Sequence, residues 1–358
     1  MVVDLKLNSY SKTKKSNQMS YISRKKILFT SLVLLLSLIL VLIFSHKNDT
    51  SLKIISCTAS WKLNNKNGNQ DYVFFKPNCI RYNSGYLYVL DSGNNRIMKY
   101  DDGGNFITQI GRFGRGPGEL INPRSFAVHK DGTIFVLNMG NSRVEIYDSL
   151  GNYINSFGFV NRIFSQNHQL EIDKLKHIYI PSELNSKKLL SVFDSKGHKI
   201  KEFGEKLNFS FTSSHWHRNN IIQFTIDNYD NLYVQFVSNP ILRKYDGTGE
   251  LVWERNYSLL PNVKKISKIF DEDEKKDLSN NALSIYSFVF FITNAGNKRI
   301  FVDAPQPYLV EDKSYYPKGI VHFYSDKNRF FPLDMARIRD DKYFVLGTEG
   351  NIYKCSLL

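Results

Sequence analysis

His215 and His217 flank Trp216 and form the only close histidine pair in the chain. On a strand, residues two apart share a face, so both rings would point the same way and could begin a zinc site. His129, His168, His177 or a carboxylate would have to supply the third ligand. No set of Asp, Glu or Asn recurs at blade-like spacing to complete it. No cofactor is therefore expected, and a divalent metal at His215 and His217 belongs to an alternative reading only. Gly111, Gly114, Gly116 and Gly118 invite a phosphate-loop reading. A phosphate loop needs a helix behind it, and a P-loop needs Gly-Lys-Ser/Thr. Here Pro123 and a strand-like run follow, so the glycines read as a crossing loop. Arg96 and Arg143 stand after Asn94-Asn95 and Asn141-Ser142. Their equivalent positions favour a structural role, pairing with carboxylates or stacking between elements. Gly-x-Ser-x-Gly, His-Glu-x-x-His, Cys-x-x-Cys and EF-hand patterns are missing from the sequence. The DEDEKKD run at 271–277 mixes both signs, as a solvated face does.

The elements that would position these residues come from a repeat. Copies run from Cys79 to Gly111, Phe126 to Gly158, Leu170 to Gly204 and Phe224 to Asn256. Each holds four short runs rich in Tyr, Phe, Ile and Val between turn residues, the pattern of consecutive β-hairpins. An Asp-x-x-Gly turn follows the third run every time: Asp101/Gly104, Asp148/Gly151, Asp194/Gly197 and Asp246/Gly249. Asp at the first turn position accepts backbone N–H groups, and Gly at the last takes positive φ without a Cβ clash. Spacings of 47, 46 and 52 residues with four strands per unit define propeller blades. Two further copies are degenerate. In the fifth, residues 298–303 read as a second strand and 321–326 as a third, separated by an insertion at 305–318. The sixth spans 334–356 and stops after three strands. Its missing outer strand is supplied by residues 54–63, closing the ring from both ends of the chain. The fold class is thus all-β, a six-bladed β-propeller of four-stranded antiparallel blades over 54–358, with a second insertion at 261–284.

Residues 1–26 carry seven Lys or Arg against Asp4 alone, and so hold +6 of the chain's net +14. Residues 27–44 contain no charge. Eighteen residues at helical rise span about 27 Å, close to the hydrocarbon thickness of a bilayer. With Arg24, Lys25 and Lys26 just before it, this run reads as a transmembrane signal anchor with a cytoplasmic N-terminus. Residues 45–53 then form a linker to an extracytoplasmic propeller, either periplasmic or at the cell surface. Two alternatives stand beside an anchor: a cleaved signal peptide, and lipidation at Cys57 within Ile54-Ile55-Ser56-Cys57. All three export the propeller. The remaining basic excess is diffuse, with no stripe of the kind nucleic acid requires.

Residues 111–151 resemble an NHL repeat, through the Gly-x-Gly-Pro-Gly-Glu loop, Pro123, the Asp-Gly-x-Ile-Phe-Val strand entry, Asn-Ser-Arg and Tyr-Asp-x-x-Gly. Blade one repeats part of this at Asn94-Asn95-Arg96 and Tyr100-Asp101. The whole layout is similar to the six-bladed propeller proteins that Bacteroidota export, free or membrane-anchored. That resemblance implies the fold and leaves the function open. The expected role is a binding or scaffold module for a protein, peptide or glycan, held at the membrane by residues 27–44 and without a nucleic-acid partner. The alternative is a metal-dependent propeller enzyme of the lactonase or lyase kind. Ring closure also brings the strands of Cys57 and Cys355 together, making them a disulfide candidate, while Cys79 reads as a small buried residue.

Overall fold

The structure, a computed structural model, describes residues 53–63, 73–159, 169–208 except 184, 220–258 and most of 292–357. The chain divides into two compact units, Met1–Ser51 and Leu52–Leu358. The described residues of the second unit form strands and short turns. The unit opens with β1 (Lys53–Leu63). Blade one follows with β2 (Pro77–Asn83), β3 (Tyr86–Asp91), β4 (Arg96–Asp101) and β5 (Phe106–Ile110). Blade two comprises β6 (Pro123–Val128), β7 (Ile134–Asn138), β8 (Arg143–Tyr147) and β9 (Tyr153–Gly158). Blade three comprises β10 (Glu171–Ile172), β11 (Ile178–Pro181), β12 (Lys188–Phe193) and β13 (Lys199–Glu205). Blade four comprises β14 (Ile222–Ile226), β15 (Leu232–Phe236), β16 (Ile241–Tyr245) and β17 (Leu251–Asn256). Each is a separate four-stranded sheet.

The remaining strands form one nine-stranded sheet. β18 (Ile292–Gly296), β19 (Arg299–Ala304), β20 (Gln306–Glu311) and β21 (Gly319–Ser325) run along one half, with β22 (Asn328–Phe330) paired to β21. β23 (Pro332–Arg339), β24 (Lys342–Gly347), β25 (Ile352–Leu357) and β1 make the other half. β1 joins them: it lies antiparallel to β25 and parallel to β21. The innermost strands β2, β6, β10, β14, β18 and β23 succeed one another around an axis, and β23 returns to β2. Closure by the N-terminal strand is thus present.

Stacking blades face to face buries both sides of the second strand in each, so β3, β7 and β15 are buried almost throughout rather than alternately. The outer strand β5 keeps one side in solvent and alternates. The seam between the last blade and the first is a full core: Ile80, Leu87, Val89 and Met98 pack with Ala336, Phe344, Leu346 and Ile352. The Asp-x-x-Gly turns form as their chemistry dictates. Asp101 accepts the amides of Gly103 and Asn105, and the other three Asp residues repeat the arrangement. Gly104, Gly151, Gly197 and Gly249 all take φ between 85° and 93°.

Two expectations change. Within the 305–318 stretch, Gln306–Glu311 is not inserted loop but strand β20, paired with β19 from Arg299↔Glu311 to Ala304↔Gln306. β21 is consequently the fourth strand of blade five, not the third. Pro305 and Pro307 look like loop signals, yet proline is tolerated at the start of a strand, and Pro307 faces Asp303 there. The disulfide also fails on register. Cys57 stands opposite Leu357 and Cys355 opposite Ala59, a two-residue stagger, and the buried Cys355 carries a free thiol. Diagonal neighbours in a ladder lie about 7–8 Å apart, beyond ordinary disulfide geometry. The 261–284 insertion, the DEDEKKD run and residues 27–44 lie outside the described residues. Among those described, no helix is long and apolar enough to cross a membrane.

Candidate functional site

The innermost strand of a blade has no further strand beyond it, so its amides on the channel edge need partners from elsewhere. Side chains of neighbouring blades supply three of them. Asp334 accepts from Ile80 N at 2.8 Å, Ser125 from Leu170 N at 3.1 Å and Gln169 from Phe224 N at 2.9 Å. Cys79 holds the same position in blade one, close to Asp334. Gln223 holds the same position in blade four. Each of these residues immediately precedes a buried apolar one, and Asp334, Ser125 and Gln169 cap the equivalent apolar residue of the next blade. Cys79 is therefore a member of a polar belt as well as a small buried residue, and burial pushes its thiol far above the ordinary range.

One step along the strands, the side chains meet across the channel. Arg81 on β2 passes the Phe126 ring with its guanidinium carbon 5.7 Å from the centroid. It donates to Glu171 of blade three at 3.2 Å and to Asp334 of blade six at 3.1 Å. A third bond ties the same guanidinium to the Ile80 carbonyl at 2.8 Å. Three blades thus converge on one cation, and all three side chains are largely buried. Burial raises the Glu171 carboxyl to about 7, with Arg81 opposing the rise and Asp334 adding to it. Glu171 can therefore exchange a proton near neutral pH beside a permanent positive charge.

That shift has a measurable sign. Between the unfolded value near 4.3 and about 7, the folded chain binds the proton that the unfolded chain has released. Stability consequently falls as pH rises through this window, by up to about 3 kcal/mol, and levels off above it. Glu171→Gln should flatten the slope of thermal unfolding between pH 5 and 8. An unchanged slope in this variant would contradict the channel assignment.

The residues singled out from the sequence occupy other places. Arg96 pairs with Asp91 at 2.9 Å and holds the Val73 carbonyl, while Arg143 pairs with Glu145 and holds Gly116 O. Both fasten the incoming loop to its blade, as expected. The glycine loop is bound through its carbonyls: Asn141 takes Gly114 O, Asn138 takes Glu119 O and Tyr147 takes Gly118 O. Its Glu119 folds back to accept Gly116 N at 2.8 Å. Those bonds leave a crossing loop, with no helix behind it. His129 Nδ1 meets Asp131 at 2.8 Å and its Nε2 meets the Lys174 carbonyl; His177 Nδ1 meets Asp173 at 2.7 Å. These two histidines brace hairpin turns. His215, His217 and His168 lie outside the described residues.

A ring of stacked four-stranded antiparallel blades around a polar channel defines a β-propeller. Residues 68–324, more than half of the chain, match the family described as "6-bladed beta-propeller", and the chain belongs to that family. No curated protein matches the sequence. Among solved structures, a Bacteroides fragilis protein described as exported shares 18% identity at TM-score 0.52, covering 82% of this chain and 88% of its own. Virginiamycin B lyase from Staphylococcus aureus, in a catalytically inactive form with quinupristin, shares 11% identity at TM-score 0.51, covering 83% and 99%. The WD40 repeats of RRP9 give TM-score 0.53 at 9% identity, covering 85% and 84%. Identities this low speak to the fold alone.

Proposed function

We propose that this propeller is a membrane-anchored, extracytoplasmic binding or scaffold module for a protein, peptide or glycan partner. Residues 27–44 would hold it, with the N-terminus in the cytoplasm. The observation that carries the reading is the channel. Its two converging carboxylates, Glu171 and Asp334, are already bridged by the chain's own cation, Arg81. A guanidinium thus occupies the point where the channel's carboxylates converge, the place that a divalent metal would need. With that centre occupied from within, recognition falls to the exposed loop faces.

The test uses the full-length protein in detergent, presented with panels of envelope glycans and peptides, with and without EDTA. Saturable, chemically unchanged and EDTA-insensitive retention is expected. Divalent-dependent turnover of any panel member would overturn the reading in favour of the enzyme alternative.

A further inference from the structure

In an antiparallel blade the first-to-second and third-to-fourth turns lie on one face of the ring, and the other connections lie on the opposite face. The first group contains the four Asp-x-x-Gly turns of blades one to four. Exposed large apolar residues concentrate there. Leu150, Leu175 and Tyr229 sit at turn tips, exposed by 74%, 77% and 65%. Tyr86, Ile107, Tyr153, Ile154, Ile200, Leu251 and Val252 are exposed at strand starts within two residues of such turns. Only Val73, Phe75 and Phe113 among the exposed large apolar residues described belong to the opposite face. Monomer surfaces scatter such residues singly, and a one-sided rim of them marks a contact surface.

The register of β1 shows what lies near that rim. β25 is a third strand and ends at the hairpin face. β1 runs antiparallel to it, with Cys57 opposite Leu357 and Leu63 opposite Ile352. β1 therefore starts at the hairpin face, which is where the chain enters the ring. Parallel pairing of Lys53 with Gly319, the first residue of β21, gives the same direction. Eight residues, 45–52, separate the apolar run from β1, and fully extended they reach about 28 Å.

The face carries both signs of charge. The Asp101, Asp148, Asp194 and Asp246 carboxylates turn inward to backbone amides, exposed Asp102 and Asp131 pair with Lys354 and Lys176, and Glu250 stands exposed beside Lys130, Lys174 and Lys196 at the turns. Tyrosine and aliphatic tips beside lysines are the side chains that settle at a headgroup boundary.

We infer that the hairpin face of the propeller rests on the bilayer from which the chain emerges, placing the opposite, loop-bearing face outward. This rests on the membrane-anchored reading above. The test reconstitutes the full chain in nanodiscs containing brominated phosphatidylcholine and phosphatidylglycerol, with Leu150→Trp, Leu175→Trp and, as the opposite-face control, Phe113→Trp. Emission is read as the difference from the parent chain. Leu150→Trp and Leu175→Trp should lose most of their added emission, and Phe113→Trp should keep it. Equal quenching of all three, or none at the hairpin face in discs that carry the protein, overturns the orientation while leaving the anchor intact. Failure of the parent chain to co-purify with discs overturns the anchor, and the docking with it.

Discussion

Replacing Arg81 with methionine should lower the free energy of unfolding by about 3–5 kcal/mol at pH 8, because it strands two buried carboxylates without their cation. The loss should shrink toward pH 5. There Glu171 is protonated in the folded channel, since burial already raises it to about 7 with Arg81 in place, and losing Arg81 raises it further. Arg81→Lys should fall between the two proteins. An ammonium offers a point charge where a planar fork serves Glu171 and Asp334 together. Equilibrium urea unfolding of the three proteins at both pH values measures all of this. A loss below 1 kcal/mol at pH 8 would mean that the cluster contributes little, and the channel would lose its claim to be a constructed site.

Gly93→Ala and Gly140→Ala should each cost about 2–3 kcal/mol, among the largest effects expected of adding a single methyl group. Both glycines sit in short turns after a second strand, and both donate to the loop entering their blade, to Phe75 O and Ile121 O at 2.8 Å. A Cβ at Gly93 would run into the Phe75 ring and carbonyl. At Gly140 it would meet the Ile121 side chain and, at 2.7 Å, its carbonyl. Backbone cannot step aside as a flexible side chain can, so the turn or the loop must open. Gly103→Ala is the control, since its nearest neighbours are side-chain atoms at 3.3 Å and beyond. Comparable losses at all three positions in thermal unfolding would show that general turn strain, not the clash, sets the cost.

The blades were legible because their turns are chemically demanding. Asp101, Asp148, Asp194 and Asp246, each three residues before its glycine, mark a point where few other residues serve, and each forms the turn anticipated. Closure by residues 54–63 was legible because the last copy lacked one strand. β20 was hidden by Pro305 and Pro307, whose loop signal outweighs the alternation of Gln306–Glu311. The channel site was hidden for a different reason. Its belt uses Cys79, Ser125, Gln169, Gln223 and Asp334, five residues able to accept a hydrogen bond but drawn from four side-chain chemistries. No residue-type pattern unites them. The available signal was positional: extending the second, third and fourth copies one residue upstream aligns a hydrogen-bonding side chain before every Phe126, Leu170 and Phe224. Even then, the bridge from Arg81 to Glu171 joins blades one and three, a relation that a linear repeat does not display.

The placement of β1 between β21 and β25 also sets a timetable. Cys57 pairs with Leu357, 300 residues later in the chain. During synthesis β1 is the first strand of the ring to emerge and the last to find its neighbours, so the ring cannot lock until almost the whole chain has been delivered. Until then its two edges offer unpaired amides and carbonyls to any passing chain. A chain cut short before β21 would keep that hazard permanently, with four finished blades and a first strand that has nothing to close against.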